Sequence, residues 1–193
     1  MSRGQQNLMA LAHTLLSMLL VEPRSGYDIS KEFDEYVDCF WSATPQQIYR
    51  ELGKMEDQGW IVAETIPQAG RPDKKLYSIQ ESGKQVLVQW MYEPTEPTPI
   101  REDLMVKVKA GYLISKDSLL RELDRRKKIH QKMHAFLCET EEQEFKAQEP
   151  LPIEMKFYQL TLRRGIRYQQ EWVEWCDEAM EAIKMLDNPA NTE

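Results

Sequence analysis

Apolar residues recur at helical intervals along most of this chain, and proline, glycine and short polar clusters mark where the intervals stop. Leu8, Leu11, Leu15, Met18 and Leu19 keep a helical spacing that Pro23 ends. Ser25 can cap a second helix, with Asp28 three residues on in a capping-box arrangement and Tyr27, Ile29 and Phe33 as its apolar side. Thr44 followed by Pro45 is a strong helix start, a capping hydroxyl and then proline at the first helical position. Ile48, Leu52 and Met55 share one face of that helix, and Gly59 ends it. Trp60 to Ile66 and Lys75 to Ile79 are β-prone, and the turn-rich run Pro67 to Lys74 between them predicts a hairpin tip. Glu81 to Trp90 predicts one more helix.

Glu93 to Ile100 carries three prolines, which deny backbone donors and bias their neighbours to extended geometry. It predicts a semi-rigid connector. Two long helical stretches follow. The first runs from about Arg101 to Glu144, with a break near Ser115 to Asp117 and a patchy stripe of Leu119, Leu120, Leu123, Met133, Phe136 and Leu137. The second runs from about Ile153 to Asp187, where Phe157, Leu160, Tyr168, Trp172, Trp175, Ala179, Ile183 and Leu186 fall near one line. Two such helices cannot bury both faces alone, so pairing between chains is the natural solution. The expected fold is mainly α: an N-terminal winged helix-turn-helix with a two-stranded β wing, and a C-terminal α-helical dimerisation domain. The expected divisions are 1–92 for the winged domain, 93–100 for the connector, 101–187 for the helical domain and 188–193 for a flexible tail.

Charge complicates the picture. The chain has 193 residues and a formal net charge of −7, with 25 Lys and Arg against 32 Asp and Glu. The excess is shared: 9 basic against 12 acidic residues through Tyr92, and 16 against 20 beyond it. A bulk-charge argument for nucleic-acid binding therefore fails, and the case must rest on local charge and geometry. The major groove admits one α-helix, which a second must hold across the backbone. The helix from Thr44 to Gln58 is the candidate reader, exposing Gln46, Gln47, Tyr49 and Arg50. Gln suits adenine, Arg suits guanine or a phosphate, and Lys54 suits a phosphate. Gly70, Arg71, Lys74 and Lys75 put positive charge on the hairpin tip, as a wing needs.

Other chemistry finds little footing. Cys39, Cys138 and Cys176 are far apart and form no CxxC pair, so they read as reduced thiols. His130 and His134 have a spacing that suits a metal, but no third ligand is visible and a solvent-facing helix surface explains them better. No phosphate loop, nucleophile elbow or HExxH helix appears, so no catalytic residue, cofactor or metal is expected. No apolar run reaches the roughly 20 residues a bilayer needs, and no secretory leader is legible; a cytoplasmic protein is expected. Tyr158, Leu160, Tyr168, Trp172 and Trp175 serve either as dimer core or as the lining of a pocket for a small aromatic effector; their helical spacing favours dimer core.

Taken together, Ser25-Gly26-Tyr27-Asp28-Ile29, Thr44 to Leu52, the run Leu52 to Ile61, Gly70-Arg71-Pro72 with Lys75 and Tyr77-Ser78-Ile79, and Glu81-Ser82-Gly83 resemble the PadR-type transcriptional regulators. The C-terminal part resembles the longer helical domain of the virulence-regulator branch, through Leu104 to Leu113, Leu160 to Ile166 and Trp175-Cys176-Asp177-Glu178. The resemblance implies a homodimer joined through C-terminal helices, bound to a partly palindromic double-stranded operator and usually repressing. It also implies that Tyr27, Tyr49 and the wing's basic residues face DNA; Thr44, at the start of the reader helix, is a further candidate DNA contact. Ser25 stands where many members have histidine, and Gln80 where a threonine usually caps the last helix. The alternative from a different class is a protein-interaction adaptor whose winged helix has no DNA specificity.

Overall fold

The computed structural model describes residues 3–35, 43–68, 70, 73–97, 101–146 and 150–186, with side chains from residue 11 onward and excepting 34 and 35. Arg71 and Cys39 lie outside the described residues. The chain divides into two compact units, Met1–Pro97 and Thr98–Glu193.

In the first unit the order is α1 (Arg3–Met18), β1 (Arg24–Ser25), α2 (Gly26–Glu35), α3 (Pro45–Asp57), β2 (Ile61–Ile66), β3 (Lys74–Ile79) and α4 (Glu81–Met91). The apolar periodicity becomes one core. Leu11, Leu15 and Leu16 of α1, with Leu19 just past its end, meet Ile29 and Phe33 of α2, Ile48, Leu52 and Met55 of α3, and Leu87 of α4. Ile61 and Tyr77 close it from the hairpin. The β2–β3 hairpin runs in register from Ile61 opposite Ile79 to Ile66 opposite Lys74. The wing has one strand more than its two-strand pattern suggests. Arg24 and Ser25 pair with Tyr77 and Leu76, giving an antiparallel sheet of order β1-β3-β2. Two residues are too short a run to show a strand period.

Gly59 ends α3 in a left-handed conformation, φ 70°. Its N–H donates to the Glu56 carbonyl at 3.0 Å and the Trp60 N–H to the Met55 carbonyl at 2.9 Å, the paired bonds of a Schellman turn. The Trp60 carbonyl then accepts from the Gln80 N–H at 2.8 Å. Ser82 Oγ donates to the Gly59 carbonyl at 2.6 Å. The Gln80 side chain makes no capping hydrogen bond to α4, so the start of α4 is held by this junction.

The second unit holds α5 (Asp103–Lys109), a short 3-10 turn (Gly111–Leu113), α6 (Lys116–Phe145) and α7 (Ile153–Met185). The break expected near Ser115 is there, with Ser115 preceding α6. Contacts run in opposite order along α6 and α7, so the two form an antiparallel hairpin. Lys116 Nζ donates to the Lys184 carbonyl at 3.1 Å, Lys127 meets Asp177 at 2.6 Å, and Phe145 lies 5.6 Å from the Tyr158 ring. Leu104, Leu119, Leu123 and Cys176 form a core, with Trp172, Trp175, Ala179, Met180 and Ile183 packed on it. Among the described residues no helix is long and apolar enough to cross a membrane.

Gly83 tests the junction. A Cβ there would lie 2.3 Å from the Trp60 carbonyl oxygen, a backbone atom that cannot move aside cheaply. Gly83→Ala should therefore destabilise the first unit by about 1–3 kcal/mol. Urea unfolding with an unchanged midpoint would show that the close approach is not maintained.

Candidate nucleic-acid interface

Helix α3 is set at both ends before it reaches any partner. The Thr44 hydroxyl accepts from the Gln47 N–H at 3.3 Å, and Gln47 Oε1 accepts from the Thr44 N–H at 2.8 Å, a complete capping box with Pro45 inside it. Gln47 was expected to face bases; its carbonyl oxygen is committed to the cap. Ile48, Glu51, Leu52 and Met55 are buried beneath the helix. Gln46, Tyr49 and Arg50 are exposed on its outward side. Among the described residues Arg50 has no ion pair. Gly53 follows on the same outward stripe, and nothing lies within 4 Å of where its Cβ would be. The fold itself has no need of glycine there.

Tyr49 reaches back to the supporting helix. A Cβ on Gly26 would sit 2.4 Å from Tyr49 Cε1, so glycine at the start of α2 is what lets this ring close on it. Tyr27, the next residue, is exposed. Ser25 and Asp28 form the expected box: Ser25 Oγ donates to Asp28 Oδ2 at 2.7 Å, and the Asp28 N–H donates to Ser25 Oγ at 3.2 Å.

The described wing cations are not loose. Lys74 Nζ lies 3.0 Å from Asp28 Oδ2 of α2, and Lys75 Nζ lies 3.6 Å from Glu56 of α3. Lys54 meets Glu51 at 2.8 Å. Sequence reasoning placed Asp28 only in a helix cap and missed all three carboxylates as lysine partners. Glu51 is buried although charged, and its only local signal is the i, i+3 spacing to Lys54. At the tip Gly70 has φ 72°, and Asp73 Oδ1 accepts from the Gln68 N–H at 3.4 Å.

The C-terminal candidates do not gather at one place. Tyr158 packs near Phe145 and Leu160 is exposed, whereas Tyr168, Trp172 and Trp175 cluster further along α7. At 1.5 Å per residue, Tyr158 and Trp172 stand roughly 20 Å apart. His130 belongs to the second group and is half-buried rather than solvent-facing. Its Nδ1 is 2.6 Å from Gln169 Oε1 and its ring stacks on Trp172 at 4.8 Å. The Arg126 guanidinium lies 5.4 Å from the same indole and pairs with Glu102 at 2.6 Å. Burial pushes the His130 pKa down, Gln169 opposing it. His134 lies 3.7 Å from Cys138 Sγ. The described residues hold no group of three metal-ligating side chains.

Comparison with known proteins places these units. Residues 15–89 match the "Transcriptional regulator PadR-like family" profile, and residues 100–184 match "Virulence activator alpha C-term". The chain is 34% identical over 186 residues to the probable transcriptional regulator Rv1176c of Mycobacterium tuberculosis, covering 91% of this chain and 98% of that one. The chain belongs to the PadR-like family. As a PadR-type regulator it is not an enzyme. It is also 31% identical to the negative transcriptional regulator PadR of Bacillus subtilis, over 90% of this chain and 97% of that one. The crystal structure of that relative with operator DNA superposes with a TM-score of 0.74 at 26% identity, covering 90% and 99%. Its complex with p-coumaric acid gives 0.69 at 25%, covering 93% and 98%. The virulence activator AphA of Vibrio cholerae gives 0.69 at 30%, covering 90% and 98%.

Asp28 supplies a pH test of this PadR-like domain. The Ser25 hydrogen bond holds its carboxyl below the ordinary 3.8; burial works against this, and Lys74 adds to it. A carboxyl whose pKa is lower folded than unfolded stabilises fully above the ordinary value and loses that contribution as pH falls through the lowered one. Asp28→Asn should therefore make stability fall less steeply with acid below 3.8. Urea midpoints across that range, with wild type and variant giving parallel lines, would contradict it.

Proposed function

We propose that this PadR-like regulator binds a double-stranded operator of inverted-repeat character as a homodimer in the cytoplasm and represses transcription. In this reading α3 lies in the major groove, presenting Gln46, Tyr49 and Arg50, with Thr44 and Gln47 fixing its N-terminus. Gly70, Arg71, Lys74 and Lys75 form the wing beside it, while Tyr27 and Lys54 approach the phosphates. The observation that carries it is α3 itself: capped, buried on one side, and holding an exposed Arg50 with no ion pair among the described residues. The operator complex of the B. subtilis relative supports the DNA partner. That relative's designation as a negative regulator supports repression. Activation is the second reading, favoured by the likeness to AphA. A reporter fused to the bound promoter separates the two by its direction of change on deleting the gene.

The functional division we propose is 1–92 for reading, 93–100 for the connector, 101–187 for dimerisation and 188–193 for the tail. Ile153, Phe157 and Leu160 are each about two-thirds exposed at i, i+4 and i+7 on α7. Such a stripe suits a partner surface, and here the partner is a second copy. Tyr168, Trp172 and Trp175 provide the contacts for a small aromatic effector, a reading supported by the p-coumaric acid complex of the B. subtilis relative. Titrating small phenolic acids against tryptophan fluorescence checks this: Trp172→Phe should weaken the response, and no saturable response in wild type would remove the effector.

Fluorescence anisotropy on the gene's own upstream DNA should show preference over a scrambled duplex at about 150 mM salt. Half-sites should lie about one helical turn, or a multiple, apart. Arg50→Ala should cost about 1–3 kcal/mol, roughly tenfold or more in affinity. Equal affinity for operator and scrambled DNA would overturn the reading. Light scattering should give a dimer that Phe157→Glu dissociates; a wild-type monomer at micromolar concentration would remove the homodimer.

A further inference from the structure

Three of the four described cations on the reading face are already held by carboxylates of the same unit. Lys74 pairs with Asp28 at 3.0 Å, Lys75 with Glu56 at 3.6 Å and Lys54 with Glu51 at 2.8 Å. The carboxylates come from α2 and α3, the two helices that carry the reading face. Neither Lys74 nor Lys75 is buried by its pairing; each stays open enough to exchange partners.

We propose that Asp28, Glu51 and Glu56 act as internal stand-ins for DNA phosphates, restraining non-specific binding so that discrimination falls to Arg50 and Gln46. This rests on the proposal that α3 and the wing face DNA. Non-specific affinity comes almost wholly from cations that displace condensed counterions, and each such contact adds about 0.9 to the salt slope. A lysine with a carboxylate already in place must first give that partner up. It therefore contributes less to any duplex, whatever its sequence. Base-edge contacts from Arg50 and Gln46 carry no such cost and keep their full weight. Both affinities fall by about the same factor, so the operator-to-random ratio rests on Arg50 and Gln46, and less of the protein is held on random sites. A chain of net charge −7 that must find one site among many gains by that trade.

Glu56→Gln is the discriminating variant, because Glu56 is partly exposed and its loss leaves no buried charge behind. Asp28→Asn keeps a capping oxygen and frees Lys74. Glu154→Gln, an exposed residue in the other unit, makes the same change in net charge without freeing a lysine. Anisotropy titrations on scrambled and operator duplexes from about 50 to 200 mM salt read the effect. Glu56→Gln should bind scrambled DNA about threefold tighter, and the double variant about tenfold, at roughly the value of surface pairs. The slope of log affinity against log salt should steepen by about one for each lysine freed. Operator affinity should rise by a similar factor, so the specificity ratio stays near its wild-type value. A folded Glu56→Gln protein with unchanged affinity and slope on scrambled DNA overturns the proposal and reduces these pairs to wing fasteners. An equal gain in Glu154→Gln also overturns it, leaving only a net-charge effect. Wild type with no operator preference overturns the DNA reading itself, and this inference with it.

Discussion

The Gly59–Trp60 segment is where the first unit is tied together. The Gly59 carbonyl takes the Ser82 hydroxyl, the Trp60 N–H closes the turn on α3, and the Trp60 carbonyl takes the Gln80 N–H while Gly83 presses against it. One short stretch thus fixes the end of α3, the first residue of β2, the last of β3 and the start of α4. The orientation of α3 is inherited from it, because Met55, the helix's last buried apolar residue, also supplies the carbonyl of the turn. A backbone hydrogen bond contributes only about 1 kcal/mol net, but leaving a buried one unmade costs more. Geometry here is therefore enforced by avoidance of orphaned groups as much as by attraction.

The second constraint is electrostatic, and it links the wing to the helices. Asp28 accepts from Ser25 to start α2 and also holds Lys74 at the base of β3. Glu56 near the end of α3 faces Lys75 on the adjacent wing position. The residues that position the wing are thus the same ones that mute its charge. Exposed pairs of this kind contribute about 1 kcal/mol or less to stability. That is too little to explain them as structural necessities, and large enough to shift a binding affinity severalfold.

The parts of this architecture that were legible in the sequence are those with local causes. Thr44, Pro45 and Gly59 bracket α3 because capping, proline and left-handed turns act over three or four residues. Ser25 with Asp28 and the Gly70 hairpin were legible for the same reason. What was not legible depends on partners distant in sequence. The β1 strand exists because Tyr77 and Leu76 come beside Arg24 and Ser25. The demands on Gly26 and Gly83 come from Tyr49 and Trp60, each more than 20 residues away. The net charge pointed away from DNA, and the pairings show why a count misleads: it cannot tell a carboxylate in solvent from one paired to a wing lysine.

The C-terminal helices carry this furthest. On α7 one apolar line suggested one buried face, but Trp172, Trp175, Ala179 and Ile183 pack inward while Phe157 and Leu160 face out. Periodicity records only that a stripe wants burial, not whether its own chain supplies the cover. The inward half is closed by α5 through Leu104 and by α6 through Leu119 and Leu123. Its polar members fit the same logic. Gln169 is buried against His130, whose ring lies on Trp172, and Arg126 and Glu102 neutralise each other at the same indole. A polar group at such a site is costly unless bonded, so its presence inside an otherwise aromatic cluster separates this end of the hairpin from the uniformly apolar stripe at the other. The two ends of α7 thus differ in chemistry as well as exposure: one is a polar-aromatic cluster packed on α5 and α6, the other an exposed apolar stripe of Ile153, Phe157 and Leu160.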